Sequence, residues 1–245
     1  MSLIIDVDEM DTVQHSVRMV PTGCGSLDKL LNGGIGFGDV LLVYGEAETG
    51  KTCLAIQCAV NAARLGFKTL FIDSDGTFAT KRLSQIAQHD LDEIAPQITL
   101  VKPASFKEQS LVIDRLDEYL TPSIRLLIVD SVTTLYRAEM GEKEKTFALN
   151  RELGRQLACL AQIAKTRKIA VLLTSQVRNV FAHGIVGMEP VATRVLRFWS
   201  DIVLNLKLTE QGKCLKAVLE KHAERKCPIH CFVSIEAAGL CDYNL

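Results

Sequence analysis

An eight-residue glycine-rich segment constrains this chain more than any other part of its sequence. Residues 45–52 read Gly-Glu-Ala-Glu-Thr-Gly-Lys-Thr, a complete match to the pattern G-x-x-x-x-G-K-[ST]. The apolar run 40–44 comes directly before it, and a helical pattern of apolar and small residues follows it and ends at Gly66. The sequence therefore predicts a buried strand that leads through a glycine loop into a helix.

The residue types of this loop are those that hold a diphosphate. Gly45 and Gly50 allow the backbone to pass close to phosphate oxygens, and the loop amides and the helix N-terminus point partial positive charge at them. Lys51 supplies a charge for the β- and γ-phosphates, and the hydroxyl of Thr52 is placed to bind Mg²⁺. An ordinary strand-to-helix turn would explain the glycines but not Lys-Thr at the helix start. We expect the nucleotide to be held by Gly45, Glu46, Ala47, Glu48, Thr49, Gly50, Lys51, Thr52 and Cys53.

Length and composition favour one large α/β domain. The chain has 245 residues, of which 48% are hydrophobic, enough for a sizeable core. No apolar run approaches the roughly 18 residues of a membrane span, and the N-terminus has acids where a signal peptide has bases, so we expect a cytoplasmic protein. The net charge of -1 excludes a protein that is basic over its whole surface, so any nucleic acid must bind local basic patches.

Two further apolar runs end in carboxylates. Residues 69–73 form a short strand pattern that ends at Asp73, with Asp75 in the following turn. Ligands of parallel sheets lie beyond the carboxyl ends of strands, so both acids should lie near the nucleotide if this strand neighbours the strand of residues 40–44. Residues 126–130 form a buried strand pattern that ends at Asp130, as a Walker B strand does. We therefore expect Thr52 and Asp130 to bind the metal.

The order of the remaining patterns indicates the fold class. Strands and helices alternate as far as residue 175, including a helix that starts at the capping box Ser105–Glu108 and a charged loop at 136–145. A strand then ends at Gln176, and a flexible, locally basic loop follows at 177–197. Strand patterns without helices occupy the rest of the chain. The prediction is an α/β fold with a mostly parallel central sheet, flanked by helices and closed by antiparallel C-terminal edge strands.

The cysteines allow two interpretations. Cys53, Cys58 and Cys159 lie on apolar helical stripes, where a free thiol packs as a small hydrophobe. The later group could suggest a zinc site, but its spacing contains no C-x-x-C pair, which favours structural thiols: Cys227, Cys231 and Cys241, with His222 and His230.

Taken together, these stretches resemble the ATPase core of the RecA/RadA recombinase family, and most closely its short archaeal paralogues that lack an N-terminal helix-hairpin-helix domain. The resemblance covers roughly residues 20–242 and implies a RecA-like core at 21–245, preceded by an arm or strand at 1–20. It rests on the phosphate loop and on residues 21–23, 26–28, 103–109, 129–131, 136–139, 155–157, 175–177, 190–192 and 219–222.

The resemblance implies a role for each matching position, with ATP and Mg²⁺ as cofactors. Lys51 is catalytic, Asp75 occupies the place of the glutamate that positions the attacking water, and the shorter side chain implies weak hydrolysis. Arg82 matches an adenine shelf, although a solvated helix arginine is an alternative reading. Gln176 matches the relay that senses the γ-phosphate. Single-stranded or branched DNA would contact Arg178 and Arg194 in the following loop and a second basic cluster at Lys221, His222 and Arg225.

One departure from the family limits what the resemblance implies. The Phe-x-x-Ala polymerisation element is not found in residues 1–20. The expected function is therefore that of an ATP-dependent accessory protein of homologous recombination and repair, a weak Mg-dependent ATP hydrolase without strand exchange. Its partners would be DNA, recombinase or junction-processing proteins, and a second copy in a homodimer. The alternatives are a KaiC-like signalling ATPase, which needs paired acids after the second strand, and a small-molecule phosphoryl transferase, which needs an arginine-rich lid.

Overall fold

The computed structural model describes residues 18–141, 143–182, 185–212 and 214–243. Most of the arm expected at residues 1–20 therefore lies outside the described residues. Within the described part, no helix is long and apolar enough to cross a membrane.

A single large sheet organises the chain. The strands of the described residues are β1 Met19–Val20, β2 Ile35–Gly36, β3 Val40–Gly45, β4 Lys68–Asp73, β5 Ile98–Val101, β6 Ile124–Asp130, β7 Ala170–Ala182, β8 Ile185–Pro190, β9 Ile202–Leu208, β10 Cys214–Lys221, β11 Ile229–Glu236 and β12 Gly239–Asp242. The parallel part of the sheet has the order β9-β3-β7-β6-β4-β5, and β10, β11 and β12 continue it from β9 as antiparallel strands. A separate two-stranded ribbon pairs β1 with β2, and β8 pairs with the distal half of β7.

Helices cover both faces of this sheet. The α-helices of the described residues are α1 Gly25–Leu30, α2 Lys51–Arg64, α3 Thr80–Ala87, α4 Leu91–Ile94, α5 Phe106–Asp114, α6 Leu116–Tyr119, α7 Thr134–Glu139, α8 Lys143–Arg167 and α9 Thr193–Trp199. One hydrophobic cluster joins α1, α2, α3 and α4 to one face, and a second joins α5 to α9 to the other. Successive residues of β3 enter opposite clusters, as the period of two in a strand requires. The predicted fold class is confirmed.

The sheet buries its central strands completely. All six residues of β3 are buried, and β6 is buried from Leu126 to Asp130. Parallel strands with helices on both faces have no solvent side, which explains why these segments read as continuous apolar runs in the sequence. Their carboxyl ends, where the runs stop, are where polar residues can reach a ligand.

Two predicted loops have regular structure. The charged segment at 136–145 begins as α7, because Tyr136 is buried and its hydroxyl donates a hydrogen bond of 2.7 Å to Asn150 Oδ1. The segment 177–197, predicted as a flexible loop, is an antiparallel hairpin of β7 and β8 followed by α9. The first of these is not evident from a local period, because the ring that packs on Tyr136 is that of the distant Phe106, with the two ring centroids 5.8 Å apart.

Candidate nucleotide site and predicted DNA contacts

The phosphate loop connects the carboxyl end of β3 to the start of α2, as predicted. Gly50 precedes the helix with φ of 82°, a left-handed conformation that favours glycine. At Gly45 an added Cβ would meet the carbonyl oxygen of Leu206 and the hydroxyl of Thr49, so a side chain has no room there. Backbone geometry and close packing therefore fix the conformation of this loop.

Lys51 folds back onto this loop. Its Nζ donates to the carbonyl oxygens of Gly45 at 3.0 Å and Glu46 at 2.5 Å. Burial lowers the pKa of the ammonium, and the negative charges of Asp130 and Asp75 oppose that shift. The positive charge of Lys51 therefore interacts with the negative charges of both carboxylates.

Asp130 ends β6 in a buried position with one oxygen unsatisfied. The Thr174 hydroxyl donates to Oδ1, whereas Oδ2 is among the few buried side-chain oxygens of the described residues without a hydrogen-bond partner. Burial raises the pKa of Asp130 to about 6, and the hydroxyls of Thr174 and Thr52 act against this shift. Asp130 Oδ2 and the hydroxyl of Thr52 are both hard oxygen donors, the type of ligand that Mg²⁺ prefers.

The two acids after β4 have different roles. β4 does not neighbour β3, because β7 and β6 lie between them, so the premise that would have placed both acids near the nucleotide is wrong. The Asp73 carboxylate accepts hydrogen bonds from the amides of Thr77 and Phe78 and pairs with Lys102 at 3.4 Å. Asp75 lines the cavity beside the loop. Of these two, one carboxylate faces the site, whereas the KaiC-like alternative needs a pair.

A cavity of about 480 Å³ lies over the loop and collects the remaining candidates. Gln176 reaches it because β7 is the parallel neighbour of β3, with Gln176 in register with Gly45. On the other side Arg82 donates to the carbonyl oxygens of Glu236, at 2.8 Å, and Ala237. The cavity is lined by Ala47, Glu48, Gly50, Lys51, Thr52, Cys53, Ile56, Asp75, Thr77, Ala79, Arg82, Gln176 and Ile235.

The predicted DNA contacts fall into two groups, one at the carboxyl ends and one at the amino ends of the parallel strands. Arg178 lies on β7 beyond the nucleotide edge, in register with Glu189 of β8, and Arg194 is exposed on α9. Lys221 ends β10, which is antiparallel to β9, so it lies towards the edge where β3 begins.

The second group is engaged in local contacts. Lys221 Nζ donates to the carbonyl oxygens of Arg197 at 2.9 Å and Ser200 at 2.6 Å. Arg225 donates to Lys29 O at 2.7 Å, and His222 Nδ1 accepts from an amide two residues on. Tertiary structure therefore does not bring this group together with Gln176.

Two further residues contact the site, although no sequence pattern indicates that they should lie there. Ile235 of β11 contacts the phosphate loop at Gly50, and nothing in the local sequence of an edge strand indicates this. Arg137 of α7 donates from Nη1 to Gln176 Oε1 at 2.6 Å. It lies in the Tyr-Arg-Ala-Glu stretch that supports the family resemblance, but the spacing of that stretch does not indicate a partner for the arginine.

Comparisons with known proteins agree on the family. The Rad51 family model matches residues 13–242. A protein of Methanosphaera stadtmanae described as "DNA repair and recombination protein RadB" is 34% identical over 87% of this chain and 90% of its own, and one of the same description from Thermococcus gammatolerans is 39% identical over 84% and 91%. A solved structure titled "Crystal structure of the RadB recombinase" has a TM-score of 0.81 and 33% identity, covering 92% of this chain and all of that one.

Proposed function

The chain belongs to the Rad51 family, among the RadB proteins, and from this premise we propose that it is an ATP-dependent, DNA-binding accessory protein of recombinational repair. The fold is accordingly the RecA-like core. The observation that carries the proposal is the convergence of Lys51, Asp130 and Gln176 on one sheet edge, at the base of a hairpin that bears Arg178.

The chain's own residues divide the work of holding Mg-ATP. The loop amides and Lys51 would bind the phosphates, and Thr52 with Asp130 Oδ2 would hold the metal. The metal supplies charge neutralisation of the phosphate oxygens when it is bound. Arg82 lies on the cavity wall beyond the phosphate loop, where its guanidinium plane can stack on the base.

Weak hydrolysis follows from the side chain at position 75. Asp75 lines the cavity and accepts a long hydrogen bond of 3.4 Å from Ser131 Oγ. Its arm is one methylene shorter than that of a glutamate, so a water activated by it would lie farther from the phosphorus. We propose binding of ATP as the main event, with slow turnover that resets the state.

The hairpin gives nucleotide binding a route to DNA. Gln176 forms its base, where the Gln176 carbonyl accepts from the Val191 amide at 3.1 Å, and Arg178 follows two residues later. A change at Gln176 therefore acts directly on the backbone that presents this arginine. DNA phosphates would be bound by Arg178 and Arg194, with a smaller, nucleotide-independent contribution from Lys221, His222 and Arg225.

The test uses Lys51→Ala. Removal of the ammonium should weaken ATP binding, measured by calorimetry, by about 10- to 100-fold, because the phosphates lose a charge-assisted hydrogen-bond donor. Lys68→Ala is the control, since Lys68 is exposed at the start of β4. Equal ATP affinity of the wild-type and Lys51→Ala proteins would contradict the proposal, as would DNA binding that does not weaken with rising salt.

A further inference from the structure

The amide of Gln176 has a partner whose chemistry fixes its orientation. Arg137 Nη1 donates to Gln176 Oε1 at 2.6 Å. A guanidinium can only donate hydrogen bonds, whereas a carboxamide has one accepting end and one donating end. The carboxamide oxygen must therefore face Arg137, which leaves Nε2 as the end that can turn to the cavity.

The polarity of this arrangement matches a phosphate. Phosphate oxygens only accept hydrogen bonds, so Gln176 can bind a γ-phosphate through Nε2 but not through Oε1. We propose that Arg137 is a positioning residue that sets the polarity of the Gln176 carboxamide, so that the site discriminates a nucleoside triphosphate from a diphosphate. This inference rests on the proposed function and deepens it.

The arginine comes from an element that is itself held in place. α7 follows directly on the strand that delivers Asp130, and the Thr133 and Ser175 hydroxyls at the bases of α7 and of the hairpin are 3.1 Å apart. Glu139 at the other end of α7 accepts from the Phe106 amide at 3.1 Å, and Tyr136 between them is buried. The Arg137 side chain is exposed, but its backbone has little freedom.

Loss of Arg137 would allow both orientations of the carboxamide. In one of them Oε1 faces the γ-phosphate, where two acceptors repel each other. Affinity for a triphosphate should therefore fall by about three- to tenfold, the size of one hydrogen bond, with little change for a diphosphate. A purely structural role of Arg137 would lower both affinities together.

Three variants test whether Gln176 needs a partner at position 137 that can only donate hydrogen bonds, or any partner that can form one. Arg137→Met removes the donor, Arg137→Lys keeps only donors, and Arg137→Gln offers both a donor and an acceptor. The ratio of AMP-PNP to ADP affinity, measured by calorimetry with Mg²⁺, should fall in the Met and Gln variants and recover in part in the Lys variant. Arg115→Met is the control, since Arg115 is exposed and pairs with Glu118 at 3.0 Å.

A double-mutant cycle with Gln176→Ala tests whether Arg137 acts through the glutamine. We expect Arg137→Met to have no further effect on the affinity ratio in the Gln176→Ala background. Additive effects, equal recovery by Lys and Gln, or an unchanged ratio in Arg137→Met would overturn the inference while leaving nucleotide binding intact. Absence of AMP-PNP binding by the wild-type chain would instead overturn the proposed function, and the inference with it.

Discussion

At the scale of single residues, the phosphate loop carries an acid in a conformation that favours glycine. Glu48 has φ of 64°, its side chain is exposed, and it lines the nucleotide cavity. A non-glycine residue in the left-handed region costs of order 1 kcal/mol. Its carboxylate also adds negative charge where phosphates would bind. The charge opposes nucleotide binding, whereas the strain lowers the stability of the folded chain, and substitutions can separate the two effects.

Glu48→Gln isolates the charge. We expect ATP affinity to rise about threefold to tenfold, because the repulsion between unit charges near a protein surface is of order 1 kcal/mol or more. Calorimetric titration at low and high salt measures the change, which should shrink as salt screens the charge. Glu118→Gln is the control, since Glu118 is an exposed partner of Arg115. Unchanged or weaker ATP binding by Glu48→Gln would show that the carboxylate does not face the phosphates.

Glu48→Gly isolates the backbone. The substitution removes the left-handed strain but adds conformational freedom to the unfolded chain, so the two terms of about 1 kcal/mol each oppose one another. We expect the urea midpoint to stay close to that of the wild-type protein. Glu48→Ala should also leave it close to that of the wild-type protein, because alanine keeps the strain that glutamate has. A midpoint for Glu48→Gly that is well below that of Glu48→Ala would show that the strain is not significant, because only the entropic loss of glycine would then remain.

At the scale of elements, α5 and α8 meet through buried amides rather than through apolar side chains alone. Gln109 and Gln156 are fully buried, and Gln109 Nε2 donates a hydrogen bond of 2.8 Å to Gln156 Oε1. The hydroxyl of Ser74, at the end of β4, donates to Gln109 Oε1 at 2.8 Å. The network ties the turn that carries Asp75 to the two helices. A buried amide network of this kind specifies one arrangement, because every member depends on the others.

Gln109→Ala should break this network. It leaves the Ser74 hydroxyl and the Gln156 carboxamide without their partner in a buried site, and it creates a cavity, so we expect a loss of about 2–4 kcal/mol in the free energy of unfolding. Urea titration followed by circular dichroism measures it. Ser105→Ala, which removes the hydroxyl that caps α5 at Glu108 N, should cost only about 1 kcal/mol. A smaller loss for Gln109→Ala than for Ser105→Ala would contradict the role of the network.

The polar rim of the same interface predicts a pH dependence. The guanidinium of Arg155, which also binds Asp114, lowers the pKa of Glu152 to about 2. A depressed carboxyl pKa stabilises the folded state above its ordinary value of 4.5, and this contribution disappears as the pH falls towards 2.

Glu152→Gln should therefore lower the urea midpoint at pH 7 and have little effect near pH 2. The loss at pH 7 should be no more than about 1 kcal/mol, because the pair is partly exposed and screened by solvent. The comparison is between the wild-type and variant midpoints at each pH. A difference between the two proteins that does not depend on pH would show that the carboxylate charge is not what stabilises the interface.

At the scale of the whole molecule, the sheet separates two basic regions. The hairpin with Arg178 extends from the edge that carries the phosphate loop, whereas Arg225 packs against Lys29 towards the opposite edge. Under the proposed function, Gln176 would connect a γ-phosphate in the cavity to the first region over a short distance, whereas the length of β3 separates the cavity from the second region.

Nucleotide should therefore control only the first region. In single-stranded DNA titrations, Arg178→Ala combined with Arg194→Ala should weaken binding more with AMP-PNP than without nucleotide, and should reduce the salt slope by about 0.7 for each DNA phosphate that is no longer neutralised. Arg225→Ala should change affinity by the same factor in both states. Lys221 is unsuited to this comparison, because its ammonium also caps α9. A nucleotide-dependent effect of Arg225→Ala would contradict the separation.

The sequence by itself determined the elements whose causes are local. The phosphate loop was recognisable because glycine, lysine and threonine are needed at fixed spacing, and the buried strands because β3 and β6 are apolar at nearly every position. The capping box at Ser105 is a contact between residues three apart. Each of these depends on neighbours in the chain, so a single sequence contains the whole signal.

Only the tertiary structure decided which distant groups meet. In the sheet, β7 and β6 lie between β3 and β4. At the end of β4, Asp73 accepts a hydrogen bond from the Thr77 amide, and Asp75 lines the cavity. The tertiary structure also pairs Arg137 with Gln176. It places the basic group that begins at Lys221 at the opposite end of the strands. The physical reason is that strand pairing and hydrogen bonds to remote carbonyl groups depend on the path of the whole chain, which no local period or spacing records.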